Sequence, residues 1–102
     1  MLRIHIEGED VARVVTLRLE GRLVQPWVDE LFKTWLQLAE RRRQGFRIRV
    51  DLDAVSFVDE NGRFLLGAMG RKGCLLRGKG PYLEGLLEEI RGTEPGRPMG
   101  GW

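Results

Sequence analysis

Val50-Asp51-Leu52-Asp53-Ala54-Val55-Ser56-Phe57-Val58-Asp59-Glu60-Asn61-Gly62 is the stretch that decides how this chain folds. A β-rich apolar run carries two aspartates, stops at Asp59, and gives way at once to a helical pattern. The junction sets a cluster of polar groups at a helix N-terminus. There the unpaired backbone N–H groups and the positive end of the helix dipole favour an anion or an acidic group of a partner. Asp59 also suits the N-cap, a role that contributes about 1 kcal/mol by itself. Asp51 and Asp53 read as residues that shape the strand end, with a metal or an aspartyl nucleophile as the competing reading.

Upstream of this run, Phe46 to Leu52 begins the strand by alternating apolar and polar residues. Before it lies a long amphipathic pattern opened by Pro26, in which Trp27, Leu31, Trp35 and Leu38 recur at helical spacing and Val28, Phe32 and Ala39 widen the stripe. Gly45 stops that helix, and Arg41-Arg42-Arg43 reads as its solvated, dipole-complementing end. Further back, Leu2 to Glu7 and Val14 to Glu20 each alternate with period two, and Gly8-Glu9-Asp10 turns between them. Gly21-Arg22 is expected to end the second strand. Downstream, Asn61 to Arg71 is a shorter helix with Phe64, Leu65, Ala68 and Met69 as its buried side. Cys74-Leu75-Leu76 is a short strand, and Gly80-Pro81 opens a last helix with Leu83, Leu86, Leu87 and Ile90 inward. The order is β-β-α-β-α-β-α. A helix on either side of the third strand implies a parallel crossover, so the sheet is mixed, with an antiparallel edge. Residues 1–91 form one domain, and 92–102 have the proline and glycine content of a tail, in which Met99 and Trp102 are placed to pack on the domain or on another chain.

Composition limits the function. A chain of 102 residues is one domain that buries roughly 65% of its unfolded surface, small for an enzyme with a cofactor cradle. Seventeen Lys and Arg against fifteen Asp and Glu leave a net charge of +2, too little to imply a nucleic-acid partner. The lone cysteine, Cys74, excludes an internal disulfide and a multi-cysteine metal site and fits a reducing cytoplasm. No apolar run approaches the ~20 residues of a membrane helix. The first residues, with Arg3, His5, Glu7 and Glu9, are not expected to be a signal peptide.

Catalytic constellations do not assemble. Gly73 to Lys79 fits most of a phosphate-loop pattern, but Gly80 stands where a Ser or Thr would hold magnesium, and the intervening residues read as strand. His5 is the only histidine, on the polar side of the first strand, and Cys74 lies in an apolar strand as an inert thiol. No catalytic residue, metal site or cofactor is expected.

Gly21-Arg22-Leu23, the amphipathic helix, and the run from Val50 to Gly62 together resemble the STAS domain. That family includes the bacterial anti-sigma factor antagonists and the cytoplasmic tails of sulfate transporters. The resemblance runs from about Val14 to Ile90. It implies a mixed sheet of four or five strands with helices mainly on one face, and a function of docking onto a signalling protein such as an anti-sigma factor. It also implies a switch in which phosphorylation of a Ser or Thr just before the turn glycine abolishes docking. Here that position is Asn61, and its neighbour is Glu60, so neither carries a hydroxyl. Val24 stands where the family often has an acid, and Ser56 is the one nearby substitute acceptor.

Two functions follow as expectations. In the first, the chain is a non-enzymatic docking module whose partner surface comprises Leu23, Val24, Gln25, Asp59, Glu60, Asn61, Gly62 and Arg63. Replacing Gly62 by arginine or Asn61 by aspartate is then expected to weaken partner capture with little change in melting. In the alternative, the second helix N-terminus binds a nucleotide or small anion, favoured by Arg63 and opposed by Asp59 and Glu60. Oligomeric state is open, a dimer included.

Overall fold

The computed structural model describes residues 1–92. Its elements are β1 (Leu2–Glu9), β2 (Val14–Leu23), α1 (Trp27–Gln37), α2 (Ala39–Arg43), β3 (Arg47–Val58), α3 (Glu60–Arg71), β4 (Leu75–Arg77) and α4 (Pro81–Gly92). Four strands form one mixed sheet in the order β1-β2-β3-β4, with β1 antiparallel to β2 and the remaining pairs parallel. The expected order holds, with the first helix in two pieces. The last helix includes Gly92; the rest of the expected tail, with Met99 and Trp102, lies outside the described residues.

Pairing register explains which face is buried. Ile4, Leu19, Leu17, Val50 and Leu76 lie on one side through the pairs Ile4↔Leu19, Leu17↔Val50 and Val50↔Leu76. Leu17, Leu19, Val50 and Leu52 are wholly buried there, in one cluster with Leu31, Trp35, Leu66, Met69, Leu83 and Leu86 from the helices. The opposite face is polar, and His5, Arg18, Asp51 and Arg77 line up across all four strands. On that face Arg18 pairs with Glu7 at 3.0 Å, and His5 Nε2 lies 2.8 Å from Glu20.

Several elements depart from the sequence reading. β2 passes through Gly21 and Arg22 to Leu23, because Gly21 adopts φ +109, a conformation that a side chain resists. A Cβ there would stand 2.3 Å from the Met1 carbonyl oxygen. β1 reaches Glu9, and Ile6, expected inward, is half exposed because β1 is an edge strand that overhangs the helices' cover. The first helix breaks at Leu38, whose N–H donates to the Trp35 carbonyl at 3.0 Å in a tight 3₁₀-type turn. Phe32, expected on the buried stripe of α1, is 43% exposed and tilted against Trp35 with centroids 6.3 Å apart.

Gly45 stops α2 as expected. Gly45 N–H donates to the Arg42 carbonyl and Phe46 N–H to that of Arg41, the paired bonds of a Schellman ending. The three arginines are not simply solvated. Arg42 stacks over the Trp35 ring at 4.9 Å, Arg41 and Arg13 both stack on Phe46, and Arg43 pairs with Glu40. Aromatic faces within reach attract guanidinium groups more strongly than bulk water alone would predict.

Cys74 precedes β4 and is buried. Burial pushes its thiol above the ordinary value of 9.0, against smaller opposing effects of Arg42 and the Trp35 side chain. The Trp35 indole N–H lacks a hydrogen bond of standard geometry, so burial governs. The folded state thus holds the thiol proton to higher pH than the unfolded chain. Its contribution is complete below pH 9.0 and is lost as pH rises through the raised folded value. Urea melts on either side of that pH are expected to show a flatter alkaline loss of stability for Cys74→Ala than for the parent. Alkylation of the native thiol is expected to be far slower than that of the denatured chain.

Candidate functional site

β3 delivers the site through an irregular register. Arg18 pairs with Asp51 and Glu20 with Ala54, so β3 carries one extra residue; between Gly21↔Val55 and Arg22↔Phe57 it carries a second. Each bulge reverses the alternation, which is why Leu52, Val55 and Val58 are all buried at spacing three. The strand then ends at Asp59, the N-cap of α3.

Asp59 ties three segments together. Its N–H donates to the Leu23 carbonyl at 3.0 Å, Oδ1 accepts from Gly62 N–H at 2.7 Å, and Oδ2 accepts from Gln25 N–H at 3.1 Å. The end of β2, the loop that follows it and the first turn of α3 are thereby joined through one carboxylate. Tyr82, at the start of α4, adds a fourth segment by accepting the Val58 N–H on its hydroxyl at 2.9 Å. The sequence reading did not single out Tyr82; a lone tyrosine just after the helix-opening Pro81 was its only trace.

The eight residues expected to bind a partner divide into two groups. Leu23 and Gly62 are buried and support the site from beneath. Val24 and Asp59 are partly covered, while Gln25, Glu60, Asn61 and Arg63 are exposed around the turn. Arg63 pairs with Glu89 of α4 at 2.7 Å. Phe64, expected in the core, is 75% exposed next to them. The inward stripe of α3 runs instead through Gly62, Leu65, Leu66 and Met69, a regular i, i+3, i+4, i+7 set that places Phe64 outside.

The other candidate carboxylates go elsewhere. Asp51 accepts the Asp53 N–H at 3.0 Å across the first bulge, and Asp53 accepts the Lys79 N–H at 2.8 Å, which fixes the loop before α4. They shape the strand and do not converge on Asp59. No group of three or more His, Cys, Asp or Glu among the described residues is placed to hold a metal. Ser56 is exposed within β3 and its hydroxyl donates to the Gly21 carbonyl at 3.3 Å, away from the α3 turn. Leu75–Arg77, inside the glycine-bounded pattern, are strand, as expected.

Gly62 is a packing residue. A Cβ there would lie 2.8 Å from Val58 Cγ1 and 2.9 Å from the Leu23 carbonyl oxygen, and the backbone oxygen cannot rotate away. The expectation that Gly62→Arg leaves melting unchanged does not survive this geometry. Even Gly62→Ala is expected to destabilise by about 1–3 kcal/mol through overpacking, which exceeds alanine's helix-propensity gain of about 1 kcal/mol. Gly85→Ala, in open space on α4, is expected to raise the melting temperature instead. Denaturant melts of the two variants check the contrast, and Asp59→Ala is expected to cost about 1–2 kcal/mol by loss of the cap.

No protein-family model and no curated protein matches the sequence. Among solved structures, an anti-sigma factor antagonist from Mycobacterium paratuberculosis superposes with a TM-score of 0.72 at 19% identity, covering 93% of this chain and 84% of that one. The anti-sigma factor antagonist SpoIIAA in its unphosphorylated form gives 0.60 at 22% identity, over 84% of this chain and 82% of its own. An uncharacterised Shewanella loihica protein with a SpoIIAA-like fold gives 0.53 at 16% identity, over 94% and 81%. The chain therefore has the STAS-like fold of these antagonists, a single α/β domain with a four-stranded mixed sheet.

Proposed function

We propose that this protein is a non-enzymatic docking module of the anti-sigma factor antagonist type, acting in the cytoplasm on a protein partner. The observation that carries the reading is the exposed Phe64, set beside Glu60, Asn61 and Arg63 on a turn held rigid from below. A large apolar side chain left in water on an ordered helix end, ringed by polar groups, is the composition of an interface centre. Val24 and Gln25 extend the surface across the Asp59 bridge. Two structural neighbours are antagonists of anti-sigma factors by name, proteins that act on other proteins.

Asn61 occupies the position at which the resemblance implies a phosphoacceptor, and its amide has no hydroxyl to accept phosphate. Docking in this reading is constitutive, set by abundance of the partner. The alternative, an anion at the α3 N-terminus, is disfavoured because Asp59 Oδ1 already takes the Gly62 N–H that such an anion needs. Glu60 adds a second negative charge at the same turn.

Affinity capture from the source cells with the parent, Phe64→Ser and Asn61→Asp, followed by binding measurements with the purified captured protein, tests the proposal. Both variants change exposed side chains and are expected to melt within about 0.5 kcal/mol of the parent while binding the partner at least about tenfold more weakly. Arg3→Ala, on the polar sheet face, is expected to bind as the parent does. Equal affinity for all four proteins would sink the assignment of this surface.

A further inference from the structure

The edge of the sheet at β4 carries a feature that the docking surface does not use. Four arginines from four elements, Arg49 of β3, Arg71 of α3, Arg77 of β4 and Arg91 of α4, line one cleft of about 400 Å³. Its remaining walls include Gly67, Gly70, Leu76 and Ile90, and no aspartate or glutamate lines it. In a chain with nearly equal numbers of acids and bases, four arginines and no carboxylate among the residues lining one cleft is a departure from the mixed surface elsewhere. The neighbouring groove over the polar sheet face, which Arg49, Arg77 and Arg91 also border, carries Glu7, Glu9, Asp51, Asp53, Glu84 and Glu88, and Arg18 there is already paired.

Among the described residues, Arg49, Arg71 and Arg77 make no ion pair, and Arg91 donates to the Leu76 carbonyl at 3.4 Å. Arg49 Nε is buried with no hydrogen-bond partner. Asp51 is the strand partner of Arg77 yet stays beyond ion-pair distance. Gly67 lets the Arg71 guanidinium settle against the helix: a Cβ at Gly67 would be 3.3 Å from Arg71 Nη1. Like charges lining one cleft repel, and an oxyanion seated among them relieves that repulsion. Planar guanidinium groups present paired donors that match phosphate oxygens, and they remain charged at every physiological pH.

We propose that this cleft binds a small phosphate-bearing ligand, its phosphate held by Arg71, Arg77 and Arg91 and its organic part resting on Leu76 and Ile90. The site is separate from the α3 N-terminal turn and independent of the docking reading.

Pyrophosphate titrated into the isotope-labelled full chain, at constant ionic strength, is the test. Saturable amide shifts are expected at Gly67, Gly70, Arg71, the β4 residues and Arg91. The Arg71→Gln/Arg77→Gln double variant changes exposed side chains; it is expected to bind at least about tenfold more weakly while melting like the parent without ligand. Lys79→Gln, outside the cleft, is expected to bind as the parent does. Shifts confined to residues 60–64, shifts reproduced by sodium chloride at the same ionic strength, absence of saturation at millimolar pyrophosphate, or unchanged affinity in the double variant would each overturn the proposal.

Discussion

Asp59 and Gly62 must lie against Leu23, and much of the molecule is arranged around that requirement. The Leu23 carbonyl accepts the Asp59 N–H while lying within van der Waals reach of the Gly62 backbone, so β2 and α3 approach more closely than any residue with a side chain allows. The Asp59 carboxylate then spends both oxygens on backbone N–H groups, one in the helix and one in the loop at Gln25. Because these bonds are made by main chain and a cap, the outward residues of the turn are free to vary without loosening it. A rigid base with a variable crown is a suitable platform for recognition.

Charge is distributed with similar economy. The polar face of the sheet carries both signs, and on it Arg18 pairs with Glu7 and Asp51 while His5 lies against Glu20. Around α2, Arg42 lies over Trp35, Arg41 and Arg13 both lie over Phe46, and Arg43 pairs with Glu40. Among the described residues, Arg49, Arg71 and Arg77 at the β4 edge have neither an ion pair nor a ring contact. Arg91 there also covers the Leu76 carbonyl, which leaves the short edge strand a poor template for pairing with another chain.

Periodicity in the sequence revealed the strands, the helices, the Asp59 cap and the stop at Gly45, because each depends on local chemistry within a few residues. On α3, Leu65 and Met69 are buried as expected, but Gly62 and Gly67 are buried too and complete the inward stripe with Leu66, which leaves Phe64 outside. Arg42 on Trp35, Tyr82 on Val58 and the arginine cleft join residues far apart in the chain, and nothing in local pattern announces them. The extension of β2 through Gly21 is also tertiary, since the neighbouring strand and the Met1 carbonyl sustain a backbone shape that the residue alone does not dictate.

The two bulges in β3 have a further consequence for how the turn is encoded. From Val14↔Arg47 to Leu23↔Val58 the strand advances two residues more than its neighbour, one at each irregularity. Because side chains alternate across a sheet, loss of a single residue between Asp51 and Phe57 inverts every position after it. Val58 would then face solvent, and Asp59 would turn away from Leu23 and Gln25. The direction in which the turn points is thus a matter of parity: an even number of extra residues aims it correctly, an odd number reverses it, and side-chain chemistry at the inserted positions is secondary to the count.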